Sequence, residues 1–424
     1  MVDIFDRIKQ NPGPLGQFAD YGEGYFIFPR LEGPIGPRMK FQGKEVIFWS
    51  ANDYLGLCNH PEVLKADADA AAEFGMFYPM GARAMSGETN QHLQFEKELA
   101  EFVGKESAYL LNFGYQGMVS TIDALVSRHD VIVYDSDSHA CIVDGVRLHM
   151  GKSFMFRHND MASFEKNIKR ATKVAEENGG GILVITEGVF GMTGQQGKIK
   201  EIAAFKKDYK FRLLVDDAHG FGTLGKTGAG AGEEQECQDE IDVYFSTFAK
   251  SMAGFGAFIA GNAEIIRYLK FNLRSQIFAK SLTMPMVLGG LKRLELLRSR
   301  PEIKAKLWEN VNKLQNGLKE RGFDLGNSNT CVTPVMMKGS PVEATLLVKD
   351  LRENFGIFTS VVVYPVIPKG MILLRLIPTA SHTDAEINET LAAFEAIHDK
   401  LVNGHYRDQA AKYLEENNLH FKEL

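Results

Sequence analysis

Cysteine is scarce in this sequence, and neither a membrane segment nor an export signal is visible. The 424 residues include four widely spaced cysteines, Cys58, Cys141, Cys237 and Cys331, and no CxxC pair. This spacing argues against a zinc site or a disulfide framework and is typical of proteins in a reducing cytoplasm, where we expect this one to act. The sequence has no apolar run of about 18 residues and no apolar core of a signal peptide near its N-terminus, so we expect no transmembrane segment.

The sequence also lacks a concentration of one charge. Its formal net charge is −6 and it has no long basic run, so we do not expect nucleic acid as a partner. Internal repeats and low-complexity linkers are absent from the sequence as well. Hydrophobic residues make up 45% of the chain, enough for a large core, and this length predicts one large α/β domain or two domains.

Strand-like runs alternate with helical patterns from about Leu99 onward. The apolar, β-branched runs that predict buried strands are "SAYLLN", "VIVYD", "ILVITE", "RLLVDD", "VYFS" and "AFIA". Helical patterns such as "DMASFEKNIKRATKVAEEN" lie between them. This alternation predicts βαβ units and a mostly parallel sheet flanked by helices.

Four segments are predicted along the chain. Residues 1–45 form an N-terminal arm with a hairpin in "PRMKFQGKEVIFW", and residues 46–285 form the large domain. Residues 286–402 form a smaller α+β domain, in which long helical patterns precede the short strands "VTPVMMK" and "MILLRLI". Residues 403–424 form a polar, amphipathic tail, and the sequence leaves open whether it is a terminal helix or a partner contact.

Several chemically useful residues follow the predicted strands, where ligands bind in open parallel sheets. These are Gly114 and Tyr115, His139, Asp216, Asp217 and His219, and Thr247 and Lys250. Taken singly, they are consistent with a turn, a structural histidine, a capping carboxylate and a solvated lysine. Together they match what pyridoxal 5'-phosphate (PLP) requires: a helix start for the phosphate, a carboxylate for the pyridinium nitrogen and a lysine for a Schiff base. Small residues around Lys250, in "STFAKSMAGFGAF", leave room for a flat ring.

An ordered set of motifs extends this interpretation over nearly the whole chain. The motifs are "ANDYLGL", "GARAMSGETNQHLQFEKELAEFVGKE", "SHACIVDGVRL", "HNDMASFE", "EGVFGMTG", "VDDAHGFGTLGKTGAG", "STFAKSMAGFGAF" and "LRLIPTASHT". In this order they resemble the α-oxoamine synthases, fold-type I PLP enzymes that condense an amino acid with an acyl thioester. The amino-acid sequences of these motifs are most similar to those of bacterial serine palmitoyltransferases.

The resemblance implies a role for each matching residue. Lys250 would hold the cofactor and remove the α-proton of the substrate, and Asp216 would pair with the pyridinium nitrogen. His219 would contact the ring oxygen, and His139 would stack on the ring and act as an acid toward the thioester carbonyl. The remaining implied contacts are Gly114, Tyr115 and Thr247 on the phosphate, Ser281 at the cofactor of a partner subunit, and Asn52 and Arg375 on the substrate carboxylate. A structural salt bridge is the alternative for Arg375.

The sequence departs from the family pattern at several positions. Gly191 replaces a serine near the ring, and Ala249 replaces a serine on the phosphate, which would leave more of the anchoring to Thr247. Lys280 stands where relatives have small polar residues, either as a surface lysine or as an extra cation near an anionic group. Three bulky residues either reshape the acyl entry or serve core packing or subunit contact: Phe77, Tyr78 and Met80.

The implied reaction is a PLP-dependent decarboxylative Claisen condensation. L-Serine is favoured as the amino acid, with a long-chain thioester of CoA or acyl carrier protein, giving a 2-amino-3-ketone of the sphingoid type. The alternatives are a cysteate acyltransferase of sulfonolipid synthesis, 8-amino-7-oxononanoate synthase and 2-amino-3-ketobutyrate CoA ligase. A regulatory subunit with a dead cofactor site is the non-enzyme alternative, and intact Lys250, Asp216, His139 and His219 argue against it.

We further expect a cytoplasmic homodimer with shared active sites and no metal. A peripheral membrane contact for product release stays open. The sequence does not determine the acyl length, the acyl carrier, or the roles of the tail and of Lys280.

Overall fold

Two compact units make up the described part of the chain. The computed structural model describes residues 1–11, 13–16, 19–364, 367 and 369–416. The larger unit comprises Asn52–Glu309 and Asn327–Cys331, and the smaller comprises the described parts of Met1–Ala51, Asn310–Gly326 and Val332–Leu424. The predicted boundaries at 45, 285 and 402 do not coincide with this division, and the four domains stay a prediction.

A seven-stranded sheet forms the centre of the larger unit. Its strands are β1 (Ser107–Leu111), β2 (Val131–Asp135), β3 (Lys152–Phe156), β4 (Ile182–Glu187), β5 (Arg212–Asp216), β6 (Val243–Thr247) and β7 (Ala257–Gly261). Their order is β1-β7-β6-β5-β4-β2-β3, and only β7 runs antiparallel to its neighbours. The predicted mostly parallel sheet is confirmed. Strand β3 was not predicted, because most of its residues are exposed or half-buried at the sheet edge.

Both faces of this sheet are covered, which explains the uninterrupted apolar runs of its strands. Val133, Val184 and Val215 pack into the core on one face, and neighbouring residues such as Ile132 and Ile185 pack into the core on the other. The flanking α-helices are Pro61–Phe74, Asn90–Phe102, Gly114–Leu125, Ala140–Leu148, Met161–Asn178, Ile199–Ala204, Ala231–Glu234, Ala263–Asn272, Arg274–Ile277 and Met284–Ser299. Short 3-10 turns occur at Leu57–Asn59, Phe205–Lys207 and Gln238–Glu240.

The helix Met284–Ser299 shows why the predicted boundary at 285 differs from the compact units. This helix packs against Pro61–Phe74 and Asn90–Phe102, so the chain stays in the larger unit beyond residue 285. The next helix, Pro301–Glu320, contains the boundary between residues 309 and 310.

The smaller unit has two sheets. One contains Leu31–Glu32, Arg38–Phe41, Lys44–Phe48 and Ile357–Phe358, and the other contains Thr333–Lys338, Met371–Leu376 and Ser360–Val362. Its α-helices are Ile4–Gln10, Gly13–Gly16, Ala19–Gly22, Pro341–Asn354, Asp384–Val402 and His405–Glu416. The predicted hairpin is confirmed, since Arg38–Phe41 pairs antiparallel with Lys44–Phe48. Of the predicted tail, residues 417–424 lie outside the described residues. Within the described ranges, no helix is both long and apolar enough to cross a bilayer.

Candidate active site

The carboxyl ends of the parallel strands bring the candidate residues to one edge of the sheet. Strand β2 leads to His139, β4 ends at Glu187, β5 ends at Asp216, and β6 ends at Thr247 and leads to Lys250. Strand β1 points the same way, because the antiparallel β7 lies between it and β6, and it leads into the helix Gly114–Leu125. The topology therefore brings residues more than 130 positions apart to a single edge.

Asp216 is the buried carboxylate of this edge, with 5% of its surface exposed. The main-chain N–H of Ala218 donates to its Oδ1 over 3.1 Å, and the thiol of Cys141 lies 3.9 Å from its Oδ2. Burial raises the pKa of Asp216, while the positive charges of Lys250 and His139 act in the opposite direction. An additional cation, such as a protonated ring nitrogen, would stabilise its ionised form further.

Asp217, the alternative carboxylate, has a different set of contacts. Its Oδ2 accepts hydrogen bonds from the main-chain N–H of Ala231 over 2.8 Å and from the hydroxyl of Tyr244 over 2.9 Å. A Cβ added at Gly188 or Gly220 would lie within about 2.0 Å of its carboxylate oxygens. Asp217 is therefore enclosed by the protein, which argues for a structural role and for Asp216 as the carboxylate that meets a ligand.

His139 caps the helix Ala140–Leu148 with its own ring. Its Nδ1 accepts a hydrogen bond from the main-chain N–H of Cys141 over 3.3 Å and lies 3.0 Å from the thiol sulfur. In the neutral imidazole this contact places the hydrogen on Nε2, which is then a donor. His139 as a residue is exposed on the single chain, yet desolvation by its neighbours lowers its pKa, and Lys250 lowers the pKa further while Asp216 raises it.

His219 is held from one side and confined on the other. The buried hydroxyl of Tyr54 lies 2.7 Å from its Nδ1. On the far side of the ring, a Cβ added at Gly191 would lie 2.2 Å from Nε2. The departure from serine at Gly191 therefore has a steric reason in this chain, because the ring occupies the space that a side chain would need.

A cradle suited to a phosphate lies at the start of the helix Gly114–Leu125. This helix has no side-chain cap, so the N–H groups of its first turn remain available to an anion. A Cβ at Gly114 would lie 3.1 Å from the hydroxyl of Thr247, so the absence of a side chain keeps the cradle open. Thr247 in turn donates to the carbonyl of Gly256 over 3.0 Å and accepts the N–H of Ala249 over 3.2 Å.

The side chain of Tyr115 contacts two neighbouring residues. Its hydroxyl donates to the carboxylate of Asp144, and its ring packs edge-on against His139 with centroids 6.2 Å apart. Its side chain therefore contacts His139 and Asp144, and its predicted contact with the cofactor phosphate stays a prediction.

Ser281 and Lys280 lie against the loop that contains the bulky residues. The hydroxyl of Ser281 donates to the carbonyl of Gly81 over 3.1 Å, and the ammonium of Lys280 lies 5.3 Å above the ring of Phe77. Phe77 and Met80 are 67% and 76% exposed on the single chain, which excludes core packing as their role within one chain.

The two predicted carboxylate ligands lie in different compact units. Asn52 begins the larger unit, and its carbonyl accepts the N–H of Tyr54 over 2.9 Å. Arg375 lies in the strand Met371–Leu376 of the smaller unit, in register with Ser360 and Pro334. Their joint role stays a prediction.

The residues of the larger unit fit PLP. A buried carboxylate, a half-buried lysine within electrostatic reach of it, and an uncapped helix start that Gly114 keeps open lie at one sheet edge. Residues 44–394 match the family described as aminotransferase class I and II. This chain belongs to that family.

Known members of this family resemble the chain over nearly its full length. It is 67% identical over 416 residues to a cysteate-C-fatty acyltransferase of Capnocytophaga ochracea, covering 98% of this chain and 99% of that one. It is 34% identical to a serine palmitoyltransferase of Sphingobacterium spiritivorum, covering 87% and 90%. A serine palmitoyltransferase structure from Sphingomonas wittichii superposes with a TM-score of 0.85 at 28% identity over 93% and 98% of the chains. A high-resolution serine palmitoyltransferase structure with PLP gives 0.86 at 27% identity over 95% and 100%.

Within the aminotransferase class I and II family, the chain is an α-oxoamine synthase: a PLP-dependent acyltransferase.

Sequence reasoning missed two residues of the candidate site. Glu187 ends β4 beside Asp216, and Cys141 lies between His139 and Asp216. The rule about strand ends could have found Glu187, since it is the last residue of "ILVITE"; Cys141 carried no separate signal.

Proposed function

We propose that this enzyme condenses L-cysteate with a long-chain acyl thioester. The observation that carries the proposal is the 67% identity, over 98% of the chain, to a cysteate-C-fatty acyltransferase, against 34% to a serine palmitoyltransferase. In the proposed reaction, Cα of the amino acid bonds to the acyl carbon, the thiol leaves, and Cα loses its carboxylate as carbon dioxide. The product is a 2-amino-3-ketone that keeps the sulfonate.

Serine is the second candidate amino acid. The sequences of the motifs favour serine, and the similarity to serine palmitoyltransferase structures at TM-scores of 0.85 and 0.86 supports this choice. Serine and cysteate differ only at the side-chain end, a neutral hydroxyl against a full negative charge. A cysteate enzyme therefore needs a cation or several donors there, because burying an unpaired charge is costly.

Bound PLP supplies an electron sink for the negative charge that develops at Cα. We infer that Lys250 holds the cofactor and that its neutral amine removes the α-proton. Asp216 keeps a positive ring nitrogen protonated through its buried charge, and His139 donates its Nε2 hydrogen toward the thioester oxygen. Phosphate binding is assigned to Gly114, the N–H of Tyr115, and Thr247; ring-oxygen contact to His219; and carboxylate binding to Asn52 and Arg375.

A homodimer belongs to this proposal. Large apolar side chains are exposed on the single chain in two segments near Ser281. They are Phe77, Met80, Met85 and Phe278, and Met85 is the most exposed of them at 86%. A second copy covering these segments would remove apolar surface from water and bring Ser281 toward a partner's cofactor. Action in the cytoplasm, with a peripheral membrane contact for release of a lipid product, completes the proposal.

A competition assay tests the choice of amino acid. Equal concentrations of cysteate and serine are offered to the PLP-loaded enzyme with one long-chain acyl-CoA, and both ketone products are quantified by mass spectrometry. We expect cysteate to be preferred by at least about 100-fold in kcat/KM, since a site built for a polar group rejects an analogue that leaves its partners unpaired. A preference for serine would overturn the proposed substrate while leaving the reaction class intact. Lys250→Ala is the control for product formed without the enzyme's chemistry.

A further inference from the structure

Glu187 is a buried carboxyl group to which the proposed reaction gives no role. It ends strand β4 in register with Asp216 at the end of β5, and it is only 5% exposed. Residues in register on neighbouring parallel strands point to the same face of the sheet, about 4.8 Å apart. Two acidic side chains therefore lie side by side at the edge that would hold the cofactor.

Glu187 also contacts the residue proposed to act on the thioester. Its Oε1 accepts a hydrogen bond from the main-chain N–H of His139, 48 positions away in the chain. From this main-chain position the ring of His139 makes its own contact, since Nδ1 accepts the N–H of Cys141 at the start of the helix. Glu187 thus holds in place the main chain from which the side chain of His139 extends.

The charges that face Glu187 favour its neutral form. Asp216 on β5 and Asp135 on β2 both disfavour a negative charge on Glu187. Lys250 and the N–H of His139 favour that charge, but less strongly than burial opposes it. Asp216 has more support for its charge: Lys250, His139, the N–H of Ala218 and the thiol of Cys141. When two carboxyl groups share a buried site, one of them keeps its proton.

We propose that Glu187 is a positioning residue that stays protonated beside an ionised Asp216 and fixes His139 through its main-chain N–H. The proposal rests on the roles proposed above for His139 and Asp216, and it is independent of which amino acid is the substrate. In this arrangement Asp216 is the one member of the pair that carries a negative charge for the ring nitrogen, and His139, the acid proposed to act on the thioester, keeps its place.

The charge state is tested on the cofactor-free protein by NMR of ¹⁵N-labelled histidine, with the His139 signal assigned by its loss in His139→Asn. Glu187→Gln keeps the acceptor oxygen and removes the ability to carry charge. Asp216→Asn is the matched control, since it removes a charge that raises the pKa of His139. We expect Asp216→Asn to lower the titration midpoint of His139 and Glu187→Gln to leave it in place. A downward shift in Glu187→Gln as large as that in Asp216→Asn would show that Glu187 is ionised and would overturn the proposal.

The anchoring is tested with Glu187→Leu, which removes the acceptor at similar volume. We expect the Nδ1 signal of His139 to lose the shift of a hydrogen-bonded acceptor. For the loaded enzyme we expect kcat to fall by about 10- to 100-fold with little change in KM, as for other misplaced catalytic groups. Glu187→Gln should recover most of this loss. An unchanged His139 signal in Glu187→Leu would refute the anchor, and if that variant does not fold, the comparison of Glu187→Gln with Asp216→Asn still decides the charge state. Because both NMR measurements use no amino acid and no thioester, failure of the proposed substrate leaves them unaffected.

Discussion

Gly191→Ala is a small change that should act strongly through His219. The added Cβ would lie 2.2 Å from Nε2 and 2.7 Å from Cδ2 of the ring, well inside van der Waals contact. The ring is held in this place by Tyr54, whose hydroxyl lies 2.7 Å from Nδ1. The protein can therefore relieve the overlap only by shifting the backbone or by giving up that hydrogen bond.

The expected loss of PLP affinity in Gly191→Ala follows from the costs of these two routes. Overpacking by one methyl group typically costs about 1–3 kcal/mol, and a lost neutral hydrogen bond costs about 0.5–1.5 kcal/mol. The cofactor-free protein can take the cheaper route and rotate His219 away, whereas the PLP-bound protein needs the ring in place. We therefore expect PLP to bind more weakly by the difference between these two costs, about 0.5–1.5 kcal/mol, which is about 2- to 13-fold in affinity.

PLP affinity, measured by absorbance titration of stripped enzyme, is the assay, and a double-mutant cycle isolates the cause. Gly191→Ala should weaken binding in the wild-type background and have little further effect in His219→Ala, where the overlapping ring is gone. Gly181→Ala is the matched control, because a Cβ there meets only Asp130 at an ordinary 3.5 Å. An equal loss of affinity in both backgrounds would refute the steric reasoning.

The remaining predictions concern the lysine, the second aspartate, the unusual cation and assembly. Lys250→Ala should abolish turnover and the absorbance band of the lysine-bound cofactor while keeping the far-UV circular dichroism; retained turnover would contradict its assignment. Burial raises the pKa of Asp217 to about 7, so the folded state holds a proton that the unfolded state loses near pH 4, and stability falls as the pH rises from about 4 to about 7. Asp217→Asn should lessen this fall in stability, measured by urea unfolding across the same pH range. An undiminished fall would contradict the assignment of the proton to Asp217. Lys280→Ala should raise KM for cysteate at least about tenfold more than for serine, as expected for a lost charge partner; equal changes would confine Lys280 to its contact with Phe77. Met80→Glu should weaken a dimer in sedimentation, and a wild-type monomer with full turnover would contradict shared sites.

The sequence alone determined six of the seven strands of the sheet and the positions of the candidate groups along them. Runs such as "VIVYD" and "RLLVDD" carry their strand character locally, through β-branched side chains buried on both faces. The rule that ligands meet strand ends then pointed to His139, Asp216 and Lys250 without any knowledge of packing. Strand β3 was not predicted, because an edge strand buries too little of "KSFMF" to produce a recognisable apolar pattern in the sequence.

Only the tertiary structure decided which neighbours these groups have. The hydrogen bond between Glu187 and the N–H of His139, and the ring of His219 filling the space at Gly191, join segments that no local pattern relates. It likewise distinguished Asp216, which faces Lys250 and His139, from Asp217, which Tyr244 and Ala231 enclose. The physical reason is that strand character depends on a residue and its immediate neighbours. A contact distance or a shifted pKa depends instead on atoms that folding brings together from distant parts of the chain.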